Sequence, residues 1–595
     1  MERVPGFMGT AGVPLVRQAN ISYMSELTPA VSFCFAFAKQ NETKRRGLNS
    51  PRLLSRKMRD GGAHLRRRIK MLAKVFSFGL LGIEAYPIEI EVDVSRGLPA
   101  VTLVGMADTA IRESKERVKS AIKNSGFDWP GERITVSLAP SDIKKEGACF
   151  DLAIALGILA ATQQLNSQNL KDYCILGELS LDGALRPSPG ILPISIALAK
   201  FLPDPASPEQ VRQEAGKIKN IIVPIQNAKE AAIVSDICVL PLKTLREAVE
   251  FFNNLDTVKP FKLDLEGLFK QNSNYPVDFS EVKGQYLAKR ALEVAVAGRH
   301  NVLMLGPPGS GKTMLAKRIP TIIPDLSLEE ALEVTKIHSV MGTLPNRDGL
   351  MAIRPFRNPH HSISSIAMVG GGSIPQPGEI SLAHQGVLFL DELPEFHRDC
   401  LEALRQPLED GLIRISRIKR SLLFPASFML IAAMNPCPCG TQWQHKNSCR
   451  CSTTQIARYR SKISGPLLDR IDIHIEVPAA RYQELSSNLP AESSSQIKER
   501  VNKARSIQRE RFKDEGITCN ALMSHKQVRK FCVLGKEESE LLKMAMTELN
   551  FSARAYDKIL KVSRTIADLS ETENIKTEHL SEAIQYRSLD RDFFV

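Results

Sequence analysis

The stretch NVLMLGPPGSGKTMLAKRI, residues 301–319, constrains the fold more than any other part of this 595-residue chain. A short apolar strand, a glycine-rich turn and a helix-forming run follow one another, and Gly306, Gly311, Lys312 and Thr313 satisfy the spacing G-x-x-x-x-G-K-[ST]. The turn from Gly306 through Pro307, Pro308, Gly309 and Ser310 to Gly311 is flexible enough to wrap phosphates with backbone N–H groups. Lys312 then reaches the β- and γ-oxygens and Thr313 ligates Mg²⁺. An α/β fold with a parallel sheet, binding ATP and Mg²⁺, is the expectation.

Two further strands have polar ends that suit the same chemistry. GVLFLDELPEF ends in Asp391 and Glu392, where one carboxylate can hold the magnesium and the next can orient water. FMLIAAMNP ends at Asn435, placed to read the γ-phosphate. In this order the motifs resemble the AAA+ ATPases. That resemblance implies an arginine acting from a neighbouring subunit, which SGPLLDRIDIHIEVP supplies as Arg470, and a second sensor near the start of a lid helix, which SARAYDKILKVSRTIADL supplies as Arg554. The plainer reading of either arginine is a surface salt bridge.

The 73 residues between Thr313 and Val387 exceed an ordinary strand-helix repeat, and their glycine run and Pro375/Pro377 pair suggest a looped insertion. His360 and His361 lie in it; adjacent histidines point different ways on regular backbone, so a metal reading ranks low. RPFRNPHHSIS, GGGSIPQPGEISLAHQGVLFLDELPEF, NPCPCG, SGPLLDRID and AIQYRSLDR together resemble the bacterial ComM/YifB family, often labelled magnesium-chelatase-related, from Met71 almost to Val595. The resemblance implies a helix-2 insert and a homo-hexameric ring that moves DNA junctions in recombination during natural transformation. A magnesium-chelatase-like motor, a protein-remodelling ATPase and a nucleotide-gated scaffold are the rival expectations.

GLIRISRIKRSLLFPASF reads as a hairpin with Ile413 and Ile415 on one face and Arg414 and Ser416 on the other. Arg417, Lys419 and Arg420 crowd its tip, and in a ring they would grip DNA phosphates at the pore without sequence readout. An edge strand protected by charge is the alternative. CPCGTQWQHKNSCRC sets Cys437 and Cys439 before Cys449 and Cys451, four thiolates suited to a structural, non-catalytic Zn²⁺. The other seven cysteines are scattered singly, as free thiols in a reducing cytoplasm are.

The formal charge of +13 comes mostly from residues 1–70, where 14 Lys and Arg against 4 Asp and Glu leave +10. Residues 71–595 then carry 65 against 62, or +3, so overall basicity is no argument for nucleic acid. The segment 1–70 reads as a disordered basic extension, with Met71 as the favoured true start. Residues 71–255 are expected to form a separate α+β unit resembling the Lon-protease/ribosomal-S5 fold, followed by a linker over 256–275. The AAA+ core is placed at 276–480 and a helical lid at 481–595.

In that first unit, KKEGACFDLAIALGIL sets Cys149 at the mouth of a buried helix, where the macrodipole favours thiolate. The bland alternative is that Asp151 caps the helix and Cys149 is a small buried residue. The Lon resemblance puts Cys149 at the nucleophile position and Leu192 at that of the activating lysine. Leucine accepts no proton, and no histidine lies between Leu65 and Arg299, so the unit is expected to be proteolytically inactive. No apolar run is long enough to cross a bilayer.

Overall fold

In a computed structural model, residues 72–589 are described apart from 107, 142, 144, 146, 201–217, 266, 268–274, 345–348, 373–374, 417–420, 443–448, 480–490 and 550. The extension 1–70 with Met71, and Arg417, Lys419 and Arg420 of the hairpin tip, lie outside these residues.

The N-terminal part is a seven-stranded mixed sheet. Its strands and flanking helices are β1 (Leu72–Leu81), β2 (Glu84–Ser95), β3 (Ala100–Val104), α1 (Thr109–Asn124), β4 (Arg133–Ala139), α2 (Asp151–Ala161), β5 (Tyr173–Ile175), α3 (Ile191–Lys200), β6 (Asn220–Pro224) and β7 (Cys238–Leu242). The strand order is β3-β4-β2-β1-β5-β6-β7. The alternation from Ile88 to Val94 becomes β2, whose residues Ile88, Ile90, Val92 and Val94 enter the core beneath α2. Every residue of α2 is buried, which is why it shows no polar face.

The second sheet is wholly parallel. The elements are α4 (Tyr286–Gly298), β8 (Val302–Leu305), α5 (Lys312–Ile322), α6 (Leu328–Val340), β9 (Phe356–Arg357), β10 (Val387–Leu390), a hairpin of β11 (Leu412–Ser416) and β12 (Ser421–Pro425), β13 (Met429–Met434) and β14 (Ile473–Glu476). The sheet order is β9-β10-β13-β8-β14, so the strand before the phosphate loop lies between the fourth and fifth in sequence. Buried on both faces, β8, β10 and β13 are continuous apolar runs. Val302 and Met304 join one core while Leu303 and Leu305 join the other.

The C-terminal helices α7 (Ser494–Arg511), α8 (Lys536–Glu548), α9 (Ala553–Leu569) and α10 (Thr577–Gln585) share the first of those cores through Ile497, Leu542, Ile559 and Leu580. They pack on the sheet face that α4 and α5 cover. Among the described residues, two apolar clusters join the N-terminal sheet unit to the parallel-sheet unit. Leu192 is fully buried among Ile233, Leu326, Val334 and Leu350, worth about 2 kcal/mol by area, and Ile83 joins Ile413 and Phe424 of the hairpin.

Candidate functional site

The phosphate loop leaves the carboxyl end of β8 and closes at Gly311, whose φ of +91° demands glycine. At Gly306 the reason is space, since a Cβ would stand 2.1 Å from the Val477 carbonyl oxygen. Lys312 is buried, and its ammonium donates to the carbonyls of Gly306 (2.7 Å) and Pro307 (2.9 Å) and to Asn435 Oδ1 (3.3 Å). Burial pulls the lysine below its ordinary pKa against the pull of Asp391 and Glu392. Thr313 Oγ1 donates to Asp391 Oδ2 at 2.6 Å, so a hydroxyl and a carboxylate, hard oxygens of the kind magnesium takes, already face each other. Lys312, Thr313, Asp391 and Asn435 are therefore brought together. Glu392 adopts φ +53° with its side chain more than half exposed at the end of β10.

Three contacts here were not legible in the motifs. Gln285, also left-handed, donates to the carbonyls of Ser310 (3.2 Å) and Pro478 (2.7 Å), tying the start of α4 to the loop and leaving Tyr286 and Leu287 exposed beside it. His361 Nδ1 lies 3.6 Å from Glu392 Oε2. Contrary to the expectation that adjacent histidines diverge, its ring sits 4.1 Å from that of His360, because the chain here is a turn and not regular backbone. In the insertion, Arg357 forks onto Glu379 with two 2.7 Å bonds, joining the RPFRNPHH and PGEIS strings.

Arg470 and Arg554 form a separate patch. Arg470 donates to the Pro466 carbonyl (2.5 Å) and to Glu409, while Arg554 lies 3.4 Å from Asp469, the residue before Arg470. Neither is among the partners of Lys312 or Thr313. One helical turn on, Lys558 binds Asp472 at 2.6 Å, so SARAYDKI and LLDRID are complementary strings. The four cysteines converge, with all their sulfurs within 4.8 Å of one another. Tetrahedral zinc with bonds of roughly 2.3 Å needs sulfurs about 3.8 Å apart, and Cys437 and Cys449 stand at 3.7 Å. Bonds from Thr441 hold the Cys439 thiol well below its ordinary pKa. The loop leans on the nucleotide site, since a Cβ on Gly440 would meet Pro308 at 2.5 Å. Arg414 is exposed on β11, and Ile413 and Phe424 root the hairpin in the core that holds Leu388 and Leu390 of β10.

Cys149 does not behave as a helix-mouth thiolate. Burial, with Asp151 nearby, pushes its thiol up to about 12. Nor does Asp151 cap the helix: Phe150 holds the cap position, and the Asp151 carboxylate instead accepts from Arg117 (2.9 Å) and the Leu179 N–H (3.3 Å). Leu192 is sealed against the parallel-sheet unit, where Glu230 accepts from its N–H (3.0 Å) and from Ser339 Oγ (2.5 Å).

A parallel sheet with this strand order, a phosphate loop and acids ending the neighbouring strands define a P-loop ATPase of the AAA+ class, joined to a Lon-like unit. Family models described as magnesium chelatase, subunit ChlI, match residues 278–485, those described as subunit ChlI of Mg-chelatase match 90–201, and the ChlI C-terminal model matches 491–587. The chain is 44% identical over 529 residues to the uncharacterized protein YifB of Salmonella typhimurium, covering 87% of this chain and 98% of that one. It is equally 44% identical to competence protein ComM of Haemophilus influenzae, with the same coverage. Lon protease 2 of Bacillus subtilis is 32% identical over 149 residues, 23% of this chain and 26% of its own. The chain belongs to the YifB/ComM family of magnesium-chelatase-related AAA+ proteins. No helix among the described residues is long and apolar enough to cross a membrane.

Proposed function

We propose that this chain is an ATP-driven DNA motor that moves branched junctions during recombination, working as a ring of identical subunits, with six expected from the family. The observation that carries this reading is the hairpin: β11 and β12 stand out with Arg414 exposed, yet share a core with the strand that ends at Asp391 and Glu392. A shift of β10 on hydrolysis would be passed to the hairpin through Leu388, Leu390, Ile413 and Phe424. Arg417, Lys419 and Arg420 at its tip would grip phosphates.

In this mechanism Lys312 and the loop N–H groups hold the ATP phosphates, and Tyr286 and Leu287 give the base an apolar surface. Glu392 orients the attacking water, with His361 beside it, and Asn435 fixes the γ-phosphate. Thr313 and Asp391 would hold magnesium, which when bound neutralises developing phosphate charge. Arg470 would face the neighbour's nucleotide, and Arg554 would serve as the second sensor near the start of the lid helix. Cys437, Cys439, Cys449 and Cys451 would hold a structural zinc that orders the loop against Pro308. The Lon-like unit is a scaffold without proteolytic activity, and the protein works in the cytoplasm.

The test is ATP-dependent movement of a labelled Holliday or three-strand junction by the purified chain. Wild type should move the junction. Lys312→Ala should lose both turnover and movement, and the triple variant Arg417→Ala, Lys419→Ala, Arg420→Ala should keep turnover and lose movement. Hydrolysis without movement, unstimulated by any DNA, would overturn the reading in favour of a chelatase-like or protein-remodelling motor.

A further inference from the structure

At the amino ends of the parallel strands, opposite the phosphate loop, lies a cavity of about 380 Å³. Arg299 precedes β8, Gly386 precedes β10, and Met429 begins β13. The helices α6 and α7 close the sides, the latter with Arg505 and Arg509. Arg354 also lines it.

The charges in this cavity do not balance. Glu330 is taken by Arg354 at 2.9 Å, and Glu333 by His384 at 3.2 Å. Glu329 is exposed at the rim, so three carboxylates stand against the four guanidinium groups of Arg299, Arg354, Arg505 and Arg509. Arg354 also donates to the carbonyls of Pro324 (2.6 Å), Gln385 (2.7 Å) and Asp325 (3.2 Å). Arg505 gives one bond to the Val296 carbonyl at 3.1 Å. Among the described residues, Nη2 of Arg299 and Nε of Arg505 are buried without a nitrogen or oxygen acceptor, although the Cys519 thiol lies beside the Arg505 guanidinium. A buried guanidinium N–H left unmade is costly, and these two belong to cations that repel each other. Burial, against the pull of Cys519 and with Arg299 adding to it, pushes the Arg505 guanidinium below its ordinary pKa.

The backbone at Arg299 points the same way. It ends α4 at φ +62°, the left-handed position where glycine is the favoured residue and a side chain is strained. An arginine there is kept at a conformational cost, and its side chain lines the cavity.

We propose that this cavity binds a small phosphate-bearing ligand, with Arg299 and Arg505 donating to its oxygens and Arg509 closing the rim. Guanidinium groups suit phosphate oxygens in paired, planar donation, and the volume lies in the range of small-molecule sites. Because Arg299 belongs to the AAA+ core and Arg505 to the C-terminal helices, the ligand would tie the two together at the sheet end remote from ATP.

The probe is pyrophosphate, titrated into the full chain at constant ionic strength and followed by calorimetry and by the thermal unfolding midpoint, with orthophosphate and ADP as parallel arms. The titrations are repeated in Lys312→Ala, which removes the loop's own phosphate grip. Saturable pyrophosphate binding is expected to persist in Lys312→Ala and to weaken at least tenfold in Lys312→Ala carrying Arg299→Gly or Arg505→Gln. Glycine suits the backbone at 299, so that variant should fold as well as its parent in phosphate-free buffer while losing affinity. Tighter binding of orthophosphate or of ADP than of pyrophosphate would identify a single phosphate or a nucleotide as the ligand within the same proposal. Loss of all binding in Lys312→Ala, or affinity unchanged by Arg299→Gly, would overturn it.

Discussion

Replacing Asp472 with asparagine should loosen the C-terminal helices from the AAA+ sheet. Asp472 sits just before β14, its Oδ1 2.6 Å from Lys558 on α9 and its Oδ2 accepting the Asn301 N–H at 3.0 Å. Side-chain exposure is 11% for the aspartate and 16% for the lysine, so the ion pair is mostly out of water. Burial pushes the Lys558 ammonium down to about 8 even against the attraction of Asp472. Burial opposes charge on Asp472 too, but Lys558 and His300 outweigh it and hold the carboxyl below its usual range. Removing one partner of a buried pair costs about 3–5 kcal/mol. Asparagine keeps an acceptor for Asn301, which places the loss at the lower end, about 3 kcal/mol, or about 5 °C in the unfolding midpoint of a module this size.

The assay is thermal and guanidinium unfolding of Asp472→Asn, Lys558→Met and the double variant. Because the single variant strands a buried ammonium, adding Lys558→Met should restore most of the loss. The acid limb gives a second check. A carboxyl with a lowered folded pKa contributes stability that is whole above its unfolded value and is lost as pH falls through the folded one, so this part of wild type's acid sensitivity should be absent in Asp472→Asn. A loss below about 1 kcal/mol, or a double variant no better than Asp472→Asn, would refute the reasoning.

Gly306→Ala should abolish nucleotide binding with the fold intact elsewhere, because its Cβ would meet the Val477 carbonyl oxygen at 2.1 Å; fluorescent ADP binding measures it. Arg470→Ala should hydrolyse ATP poorly alone yet recover turnover when mixed with Lys312→Ala subunits, since each would supply what the other lacks across an interface; a mixture no more active than its parts would place Arg470 elsewhere. The chain should bind one zinc through its four clustered cysteines, and cobalt in its place should show a tetrahedral thiolate spectrum that Cys449→Ser weakens. Cys149 should resist iodoacetamide at pH 8 in the folded protein, its thiol standing near 12, and be alkylated rapidly in denaturant, as peptide mass spectrometry would report.

What could be read from the sequence was what is local. Strand, turn and helix around Lys312 follow one another along the chain, so their geometry is carried by adjacent residues, as are the alternation in β2 and the 2-residue spacing within each cysteine pair. Cys149 shows the limit of local reading. The helix dipole was visible, as was Asp151 two residues on, but the burial that outweighs the dipole comes from strands and helices remote in sequence. The pairs Asp469–Arg554 and Asp472–Lys558 were legible only as two unexplained strings, because 85 and 86 residues separate the partners. His361 beside Glu392 and the cavity of Arg299, Arg354 and Arg505 have no sequence signature, being assembled from segments far apart in the chain.

The Lon-like unit is set by where it touches the parallel-sheet unit. Leu192, at the position where a protease would keep its activating lysine, is the residue that the parallel-sheet unit buries, and Glu230 beside it binds Ser339 near the end of α6. A lysine there would bring a charge into an apolar contact, whereas Leu192 packs into it. The second contact is the β1–β2 turn, where a Cβ on Gly82 would stand 3.3 Å from Phe424 of the hairpin. One unit thus braces α6 and the root of the hairpin together. Movement of the hairpin relative to α6 has to repack Ile83 against Phe424, so Ile83→Ala, which removes that contact and leaves every nucleotide-binding residue in place, should uncouple ATP turnover from junction movement; turnover and movement falling in step would show that the contact only holds the fold.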